Sequence, residues 1–462
     1  MNLFEASKRM LSNTVDPKDC GGIERLAIDF PPKLQFEALN FLVELQYAVL
    51  RAEDRRLVST SGDPAILRNR LALLNLASRF GRAFQLPMRH APGAAFFGGI
   101  ISPTAFGLSR HTDTLGVGGR GESFQKAFQS CVGEAAEFLS FLEWDDDILV
   151  TSLRNGHGLT REELQWALAG IGLGATDDFR DLDWVEARSL VDGSTVAFPS
   201  ELALRRPAAE RIGHRPAESA GVGAGPTLDA AILSALSEVV ERDAIGLWWF
   251  GGLAARRVGE DEQDASGFRA FARELRGNSD REVWLLDLTT DLGIPVIASL
   301  SSRKDGGGVI AGFAASPQPA QAMRNAFLEM CQMELAQELS LAKLSQEGCS
   351  ALKERDRQWI ERHESLSLEN FPCMKGQTPV SKIETPCFES SFQFILDTLT
   401  EKNLVPYAID LTRKGMEIPT ARVLVPGLQS SKPDWLSPRL NTLVKDTDAC
   451  LKDLSPNMLC PI

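Results

Sequence analysis

Apolar residues recur at helical spacing through 34–58 and again through 64–85, and the polar run STSGDP separates the two stretches. Asp63 before Pro64 reads as an N-cap followed by the first helical residue. Leu67, Leu71, Leu74 and Ala77 then share one face of the second helix. The spacing predicts a helical N-terminal region over residues 1–90. From residue 91 the texture changes to short apolar runs punctuated by glycine and alternating with helical stretches, the pattern of an α+β domain. WVEARSLVDGSTVAFP (184–199) reads as a hairpin turning at Asp192-Gly193. Residues 283–302 and 405–427 each read as a strand, a D-L-T turn, an I-P step and a second strand. The charge-rich stretch 346–390 reads as a surface insertion in the 91–430 domain, and 431–462 as a C-terminal tail.

One pattern occurs twice. GRGESFQKAFQSCVGEAAEF (119–138) and GAGPTLDAAILSALSEVVER (223–242) match without a gap at Gly119/Gly223, Gly121/Gly225, Ser123/Thr227, Ala127/Ala231, Ser130/Ser234, Glu134/Glu238 and Glu137/Glu241. The offset is constant, since 223 − 119 and 241 − 137 both equal 104. A fainter third copy is AMRNAFLEMCQ (322–332), with Ala322, Asn325, Glu329 and Gln332 at the same relative spacings.

Ser123 and Thr227 stand where N-caps belong, just after the glycines. Glycine permits close backbone approach, and a helix N-terminus offers free N–H groups to an anion. Glutamates three apart share a helix face. A lone E-x-x-E is ordinarily solvated surface charge, but here glycine turn and glutamate pair recur together in one register. On two facing helices Glu134, Glu137, Glu238 and Glu241 place four carboxylates around one space, which calls for a cation among them. Hard oxygen ligands suit Mg²⁺, which usually bridges carboxylates to substrate phosphates. The constellation reads as a metal–nucleotide site, with Arg242, Arg120 and Lys126 as phosphate contacts. Trp248 and Trp249 read as core packing.

Composition narrows the partners. The 462 residues carry a net charge of −13, which argues against nucleic acid or an anionic membrane as the main partner. No apolar run reaches membrane-spanning length, and the N-terminus lacks the apolar core of a secretion signal. Eight cysteines without C-x-x-C spacing fit reduced thiols in a cytoplasmic protein. The five histidines show no metal-ligand spacing.

The stretch SAGVGAGPTLDAAILSALSEVVERDA (219–244) resembles the second signature of the YcaO family, S-N-G-x-A-x-G-x-T, a helix, then E-x-x-E-R-D-A. Residues 121–137 resemble the family's upstream glycine turn and E-x-x-E helix, and the hairpin and VLVPG also look like family elements. The resemblance covers roughly 91–430. It implies the YcaO-type fold of repeated glycine turn–helix and strand units, binding ATP and Mg²⁺. The implied cofactor-binding residues are Ser130, Glu134, Glu137, Gly223, Glu238, Glu241, Arg242 and Arg324, with the four glutamates as metal ligands. The implied activity is that of a cyclodehydratase of microcin- and klebsazolicin-type pathways. A Cys, Ser or Thr side chain of a precursor peptide attacks the preceding carbonyl, and ATP activates the oxygen for loss, leaving thiazoline or oxazoline.

Two positions depart from the family pattern: Phe138 replaces the arginine of the first signature, and Ala220 the asparagine of S-N-G. Azoline-forming members often end in a proline-rich tail that reaches the active site. Here the corresponding candidates are Pro461 and the terminal carboxylate of Ile462. The N-terminal region resembles no leader-binding domain, so the resemblance implies a separate ubiquitin-activating-like (E1-like) leader-binding partner. It also implies an FMN-dependent dehydrogenase that oxidises azolines to azoles, within a hetero-oligomeric synthetase complex. Two other readings stand beside this one: a thioamide-forming enzyme sharing the same ATP site, and a non-catalytic scaffold of the same complex.

Overall fold

The computed structural model describes residue 7 and residues 32–50, 57–147, 149, 157–174, 179–377, 391–429 and 437–447. The chain order is α1 (Pro32–Glu44), β1 (Ala48–Leu50), β2 (Leu57–Ser59), α2 (Pro64–Ala77), β3 (Arg82–Gln85), β4 (Ala95–Ile101), β5 (Leu115–Gly121), α3 (Phe124–Phe141), α4 (Arg161–Gly170), β6 (Trp184–Ser189), β7 (Thr195–Pro199), β8 (Val222–Ala224) and α5 (Leu228–Trp249). There follow β9 (Arg256–Arg257), α6 (Glu260–Ala265), α7 (Phe268–Arg276), β10 (Glu282–Asp287), β11 (Val296–Ser302), β12 (Ile310–Ala315), α8 (Pro319–Glu347), α9 (Glu354–Ser365), α10 (Ser391–Glu401), β13 (Tyr407–Asp410), β14 (Thr420–Leu424) and α11 (Pro438–Thr447). Short 3₁₀ turns and a single-turn helix at Ser200–Ala203 complete the described elements.

Beside the β1–β2 ribbon, three sheets form, ordered β3-β4-β5, β7-β6-β13-β14-β8 and β12-β11-β10-β9. Each sheet ends on one edge with a strand that feeds a long helix: β5 into α3, β8 into α5, β12 into α8. Their strand pairs are antiparallel, including the hairpin β6–β7, whose turn contains Gly193 at φ 75°. The two strand–turn–strand runs appear as β10–β11 and β13–β14.

The third unit is the same unit as the other two. Gln318 is the N-cap of α8, and 318 − 123 = 195 is also the offset of Glu329 from Glu134. The three units close into a ring: α3 packs across β8, α5 across β12, and α8 across β5. Glycine is required where strand meets helix. A Cβ at Gly119 or Gly223 would collide with the helix backbone at Ala127 and Cys131, or at Ala231 and Ala235.

Two expectations change. The apolar run 34–58 is helical only to Glu44: Gln46 takes a positive φ of 55°, and β1 and β2 then pair as a ribbon. The run 64–85 is helical to Ala77, after which β3 pairs with β4. The N-terminal region therefore shares a sheet with the segment beyond residue 90, and its Leu42 and Leu74 share one core with Phe128 and Val132 of α3. The stretch 346–390 is more than a surface insertion. Leu366 and Met374 are buried in the main core, and Phe371 stacks on Trp249 with ring centroids 5.2 Å apart. The Trp284 indole N–H donates to Met374 O at 2.8 Å, tying this stretch to β10. Trp248 and Trp249 are each 1% exposed, as core packing requires.

Candidate functional site

Where the three edge strands meet the three helices lies a cleft of about 920 Å³. Its position follows from the local sequence. Ser123 accepts a hydrogen bond from Lys126 N at 3.3 Å and Thr227 from Ala230 N at 3.2 Å, so both start their helices as N-caps. The glutamate pairs then fall on the helix faces turned to the cleft.

An edge strand carries N–H groups that its sheet leaves unbonded. Here the glutamates bond them. Gly118 N donates to Glu134 Oε2 at 2.8 Å, Gly221 N to Glu238 Oε2 at 2.9 Å, and Phe313 N to Glu329 Oε2 at 3.3 Å. Glu137 reaches across to the second unit and accepts from Ala224 N at 2.8 Å. These bonds orient each carboxylate toward the cleft while oxygen lone pairs remain for other donors or a cation.

Glu134, Glu137, Glu238 and Glu241 all line this cleft, with Ser130 and Arg242 beside them. Gly223 is buried behind them in β8, packed on α5. The sequence-derived cage of four carboxylates needs a correction. Glu329 makes a fifth, and among the described residues no three acidic, histidine or cysteine side chains stand close enough to cage an ion alone. Mg²⁺ needs no such cage, because it commonly takes one or two carboxylates and completes its shell with phosphate oxygens and water.

The electrostatics show what the cleft lacks. Burial, then the neighbouring Glu238, hold the Glu137 carboxyl well above its ordinary range. Glu241, 8% exposed, is pushed up to about 8 by burial, against the pull of Arg242 and with repulsion from Glu329 and Glu238. Burial alone would lower Arg242, but Glu241, Glu238 and Glu329 hold its guanidinium firmly charged. Its Nη2 lies 3.1 Å from Glu238 Oε1 and 3.7 Å from Glu241 Oε1, whereas Nη1 is buried without a hydrogen-bond partner. A site with unneutralised acids and a spare guanidinium N–H fits a metal-bound polyphosphate.

Arg120 donates to Gln332 Oε1 at 2.9 Å and reaches Glu329 at 3.3 Å, so it ties the first unit to the third inside the cleft. Lys126 sits at the rim, paired with Glu122. Arg324 does not reach the cleft. Its side chain turns aside from the cleft, and its guanidinium lies 5.2 Å from the Phe271 ring centroid. Asn325 and Glu329 on the same helix line the cleft instead. Their signal was the shared spacing of the third copy, weakened by the replacement of its second glutamate with Gln332. Phe138 packs against the first core. Ala220 lines a small cavity of about 80 Å³ that Arg242 also borders. Pro461 and Ile462 lie outside the described residues. No helix among the described residues is long and apolar enough to cross a membrane.

Comparison with known proteins agrees with the motifs. The chain resembles a heterocyclase solved in complex with substrate and cofactor, with a TM-score of 0.65 and 20% identity over 89% of this chain. The match spans 58% of that protein's length, just over half. It also resembles YcaO from Methanopyrus kandleri bound with AMPPCP and Mg²⁺, with a TM-score of 0.56 and 18% identity over 83% of this chain and 95% of that one. A third likeness is to the E. coli microcin synthetase McbBCD complex with pro-MccB17 bound, with a TM-score of 0.53 and 14% identity over 75% of this chain and 88% of that one. The profile of the family described as YcaO cyclodehydratase, ATP- and Mg²⁺-binding, matches residues 118–429, the segment that holds the second and third strand–helix units whole and the first from the end of its strand onward. The chain therefore belongs to the YcaO family, whose cofactors are ATP and Mg²⁺.

Proposed function

We propose that this chain is an ATP-dependent cyclodehydratase that forms thiazoline or oxazoline rings from Cys, Ser or Thr of a ribosomally made precursor peptide. The observation that carries the reading is the cleft itself: five carboxylates, four of them oriented by backbone N–H groups, around a buried arginine, in a family that binds ATP and Mg²⁺. ATP supplies, when bound, a phosphoryl group that converts an amide oxygen from a poor leaving group into a good one. The rest is the work of the chain's own residues.

Glu134, Glu137, Glu238 and Glu241, with Glu329, offer oxygen ligands for Mg²⁺ on three sides of the cleft. Arg242 holds phosphate oxygens through the Nη1 that has no protein partner, its position fixed by Glu238. Arg120 and Ser130 bound the same space, and the short contacts of Gly119 and Gly223 keep the helices pressed on their strands. Positioning and charge neutralisation are what phosphoryl transfer asks of a protein. In the peptide, a side-chain S–H or O–H adds to the preceding carbonyl, the former carbonyl oxygen leaves with the phosphate, and one C=N bond forms as the amide proton departs.

The neighbour solved with its pro-peptide belongs to a multiprotein synthetase. That likeness supports a complex acting on a precursor peptide, and the motif resemblance adds an E1-like leader-binding protein and an FMN-dependent dehydrogenase as the proposed partners. Pro461 and the Ile462 carboxylate are proposed to enter the reacting end of the cleft.

Mass spectrometry of a precursor peptide incubated with the assembled proteins and Mg-ATP tests the reading. Loss of one water per modified residue is the expected result. A gain equal to exchanging oxygen for sulfur identifies thioamide formation instead, and an unchanged peptide with intact ATP binding identifies a scaffold.

A further inference from the structure

The small cavity of about 80 Å³ bordered by Ala220 lies between α4, α5 and β14. Arg242 lines both this space and the nucleotide cleft, so the two adjoin. The volume is several times the roughly 10–15 Å³ that one water needs. Its walls are mostly apolar, with Trp166 on α4, Val239 on α5, Leu202 and Leu428 among them. Such walls suit a short aliphatic side chain. Ala220 stands where the family signature carries the longer asparagine, which leaves this wall open.

The polar group left incomplete here is Arg422, on β14 and 3% exposed. Its Nη1 donates to Ala220 O and its Nη2 to Leu202 O, the latter at 3.2 Å. Its Nε is buried with no hydrogen-bond partner, and the side chain forms no ion pair among the described residues. A buried donor without an acceptor is rare in a folded chain. Burial lowers the Arg422 pKa to about 10 while Glu238 and Glu218 pull it up, so the guanidinium stays charged at neutral pH.

Those two carboxylates offset the charge from a distance, whereas the hydrogen bond is not made at all. Glu218 also lines the cavity and would repel an incoming anion. Gln429, another polar residue of the wall, is engaged, its Oε1 accepting from Ser437 N at 2.7 Å. What the cavity lacks is therefore a neutral acceptor carried on an apolar group. An amide carbonyl beside an aliphatic side chain is both.

We infer that this cavity is a substrate subsite that receives a short aliphatic residue flanking the reacting amide, with Arg422 Nε–H donating to a backbone carbonyl of the peptide. The inference rests on the proposed reading of the cleft in taking the ligand to be a peptide. Because Arg242 is shared, a residue seated here lies beside the phosphates which that arginine is proposed to hold.

The test is a saturation-transfer NMR titration of the full chain, loaded with Mg-AMPPCP, using N-acetyl-leucine methylamide as the probe. Saturable transfer to the leucine methyl groups is expected. N-acetylglycine methylamide, which lacks the side chain, should bind at least tenfold more weakly, and N-acetyl-leucine, which carries a carboxylate, more weakly as well. Arg422→Lys keeps the charge without the Nε–H and should weaken the probe about tenfold. That variant also gives up a carbonyl bond, so a second one is needed. Ala220→Leu fills the cavity from a half-buried wall and should abolish the transfer. AMPPCP affinity stays the same in both variants, which shows that each is folded. No saturable transfer, transfer unchanged by Ala220→Leu, or equal binding of the glycine or carboxylate probe overturns the inference. The probe has no reacting side chain and is not turned over, so its failure to bind leaves the ring-forming reading standing. An unmodified precursor alongside a bound probe contradicts that reading and leaves the subsite in place.

Discussion

Glu241 faces Arg242, Glu238 and Glu329 from a nearly buried position on α5, and its proton is the most informative in the molecule. In the nucleotide-free protein its pKa is about 8, against 4.5 for an unperturbed glutamate. Between those two values the unfolded chain has lost a proton that the folded chain keeps, so this residue lowers stability as pH rises. Chemical denaturation in the presence of a chelator should therefore find Glu241→Gln more stable than wild type at pH 8, with the difference gone at pH 4. An equal gain at both would contradict the assignment. Mg²⁺ beside this carboxylate favours its ionised form, so Mg-ATP binding at pH 7 should release protons. Calorimetry in buffers of different ionisation enthalpy detects the release. Arg242 was legible in the sequence because it follows the glutamate pair directly. Arg242→Lys keeps the charge but loses the forked geometry, and should weaken ATP binding about tenfold in a direct titration. Arg324 was misassigned for a reason of angle: one residue along a helix turns a side chain by about a quarter of the circumference, which carries it from the cleft to Phe271.

At the scale of elements, the glycines of β5 and β8 do structural work that the sequence announced through their repetition. A Cβ at Gly223 would strike the backbone of α5, whereas a Cβ at Gly116, earlier in β5, meets nothing within 4 Å. Gly223→Ala should destabilise by about 1–3 kcal/mol and Gly116→Ala by much less, as read from denaturation midpoints. The helix starts at Asp63, Ser123 and Thr227 were legible because capping is a local interaction. The helix ends were not. Apolar spacing continued past Glu44 and Ala77, but the residues beyond found partners in β-pairing that no local window contains. The same limit hid the burial of Leu366 and Met374, since a polar average over 346–390 says nothing about two side chains facing a neighbouring sheet.

For the whole molecule, the ring of three strand–helix units is the feature that makes one cleft from segments nearly two hundred residues apart. Two units were visible as a gapless repeat. The third was visible only along its helix, because its strand carries Ala314 and Ser316 where the other units carry glycine. Glu329 completes the carboxylate set only when the ring closes, and closure is a tertiary fact. Glu329→Gln should raise the Mg²⁺ concentration needed for half-maximal ATP use by about tenfold or more without unfolding the chain, a shift that metal titration of the ATPase reaction measures. The proposed function leads to a further expectation: the purified chain turns over full-length precursor slowly, and a leader-binding partner raises the rate by at least an order of magnitude. Fast conversion by the chain alone would contradict it.

The central claim is that this cleft uses ATP to activate a backbone amide oxygen. Its most direct test is to label the carbonyl oxygens of the precursor peptide with heavy oxygen and follow the label by mass spectrometry during turnover. The account predicts one labelled oxygen in the phosphate released for each ring formed. Unlabelled phosphate alongside ring formation would show that ATP hydrolysis is not coupled to amide activation, and would contradict it.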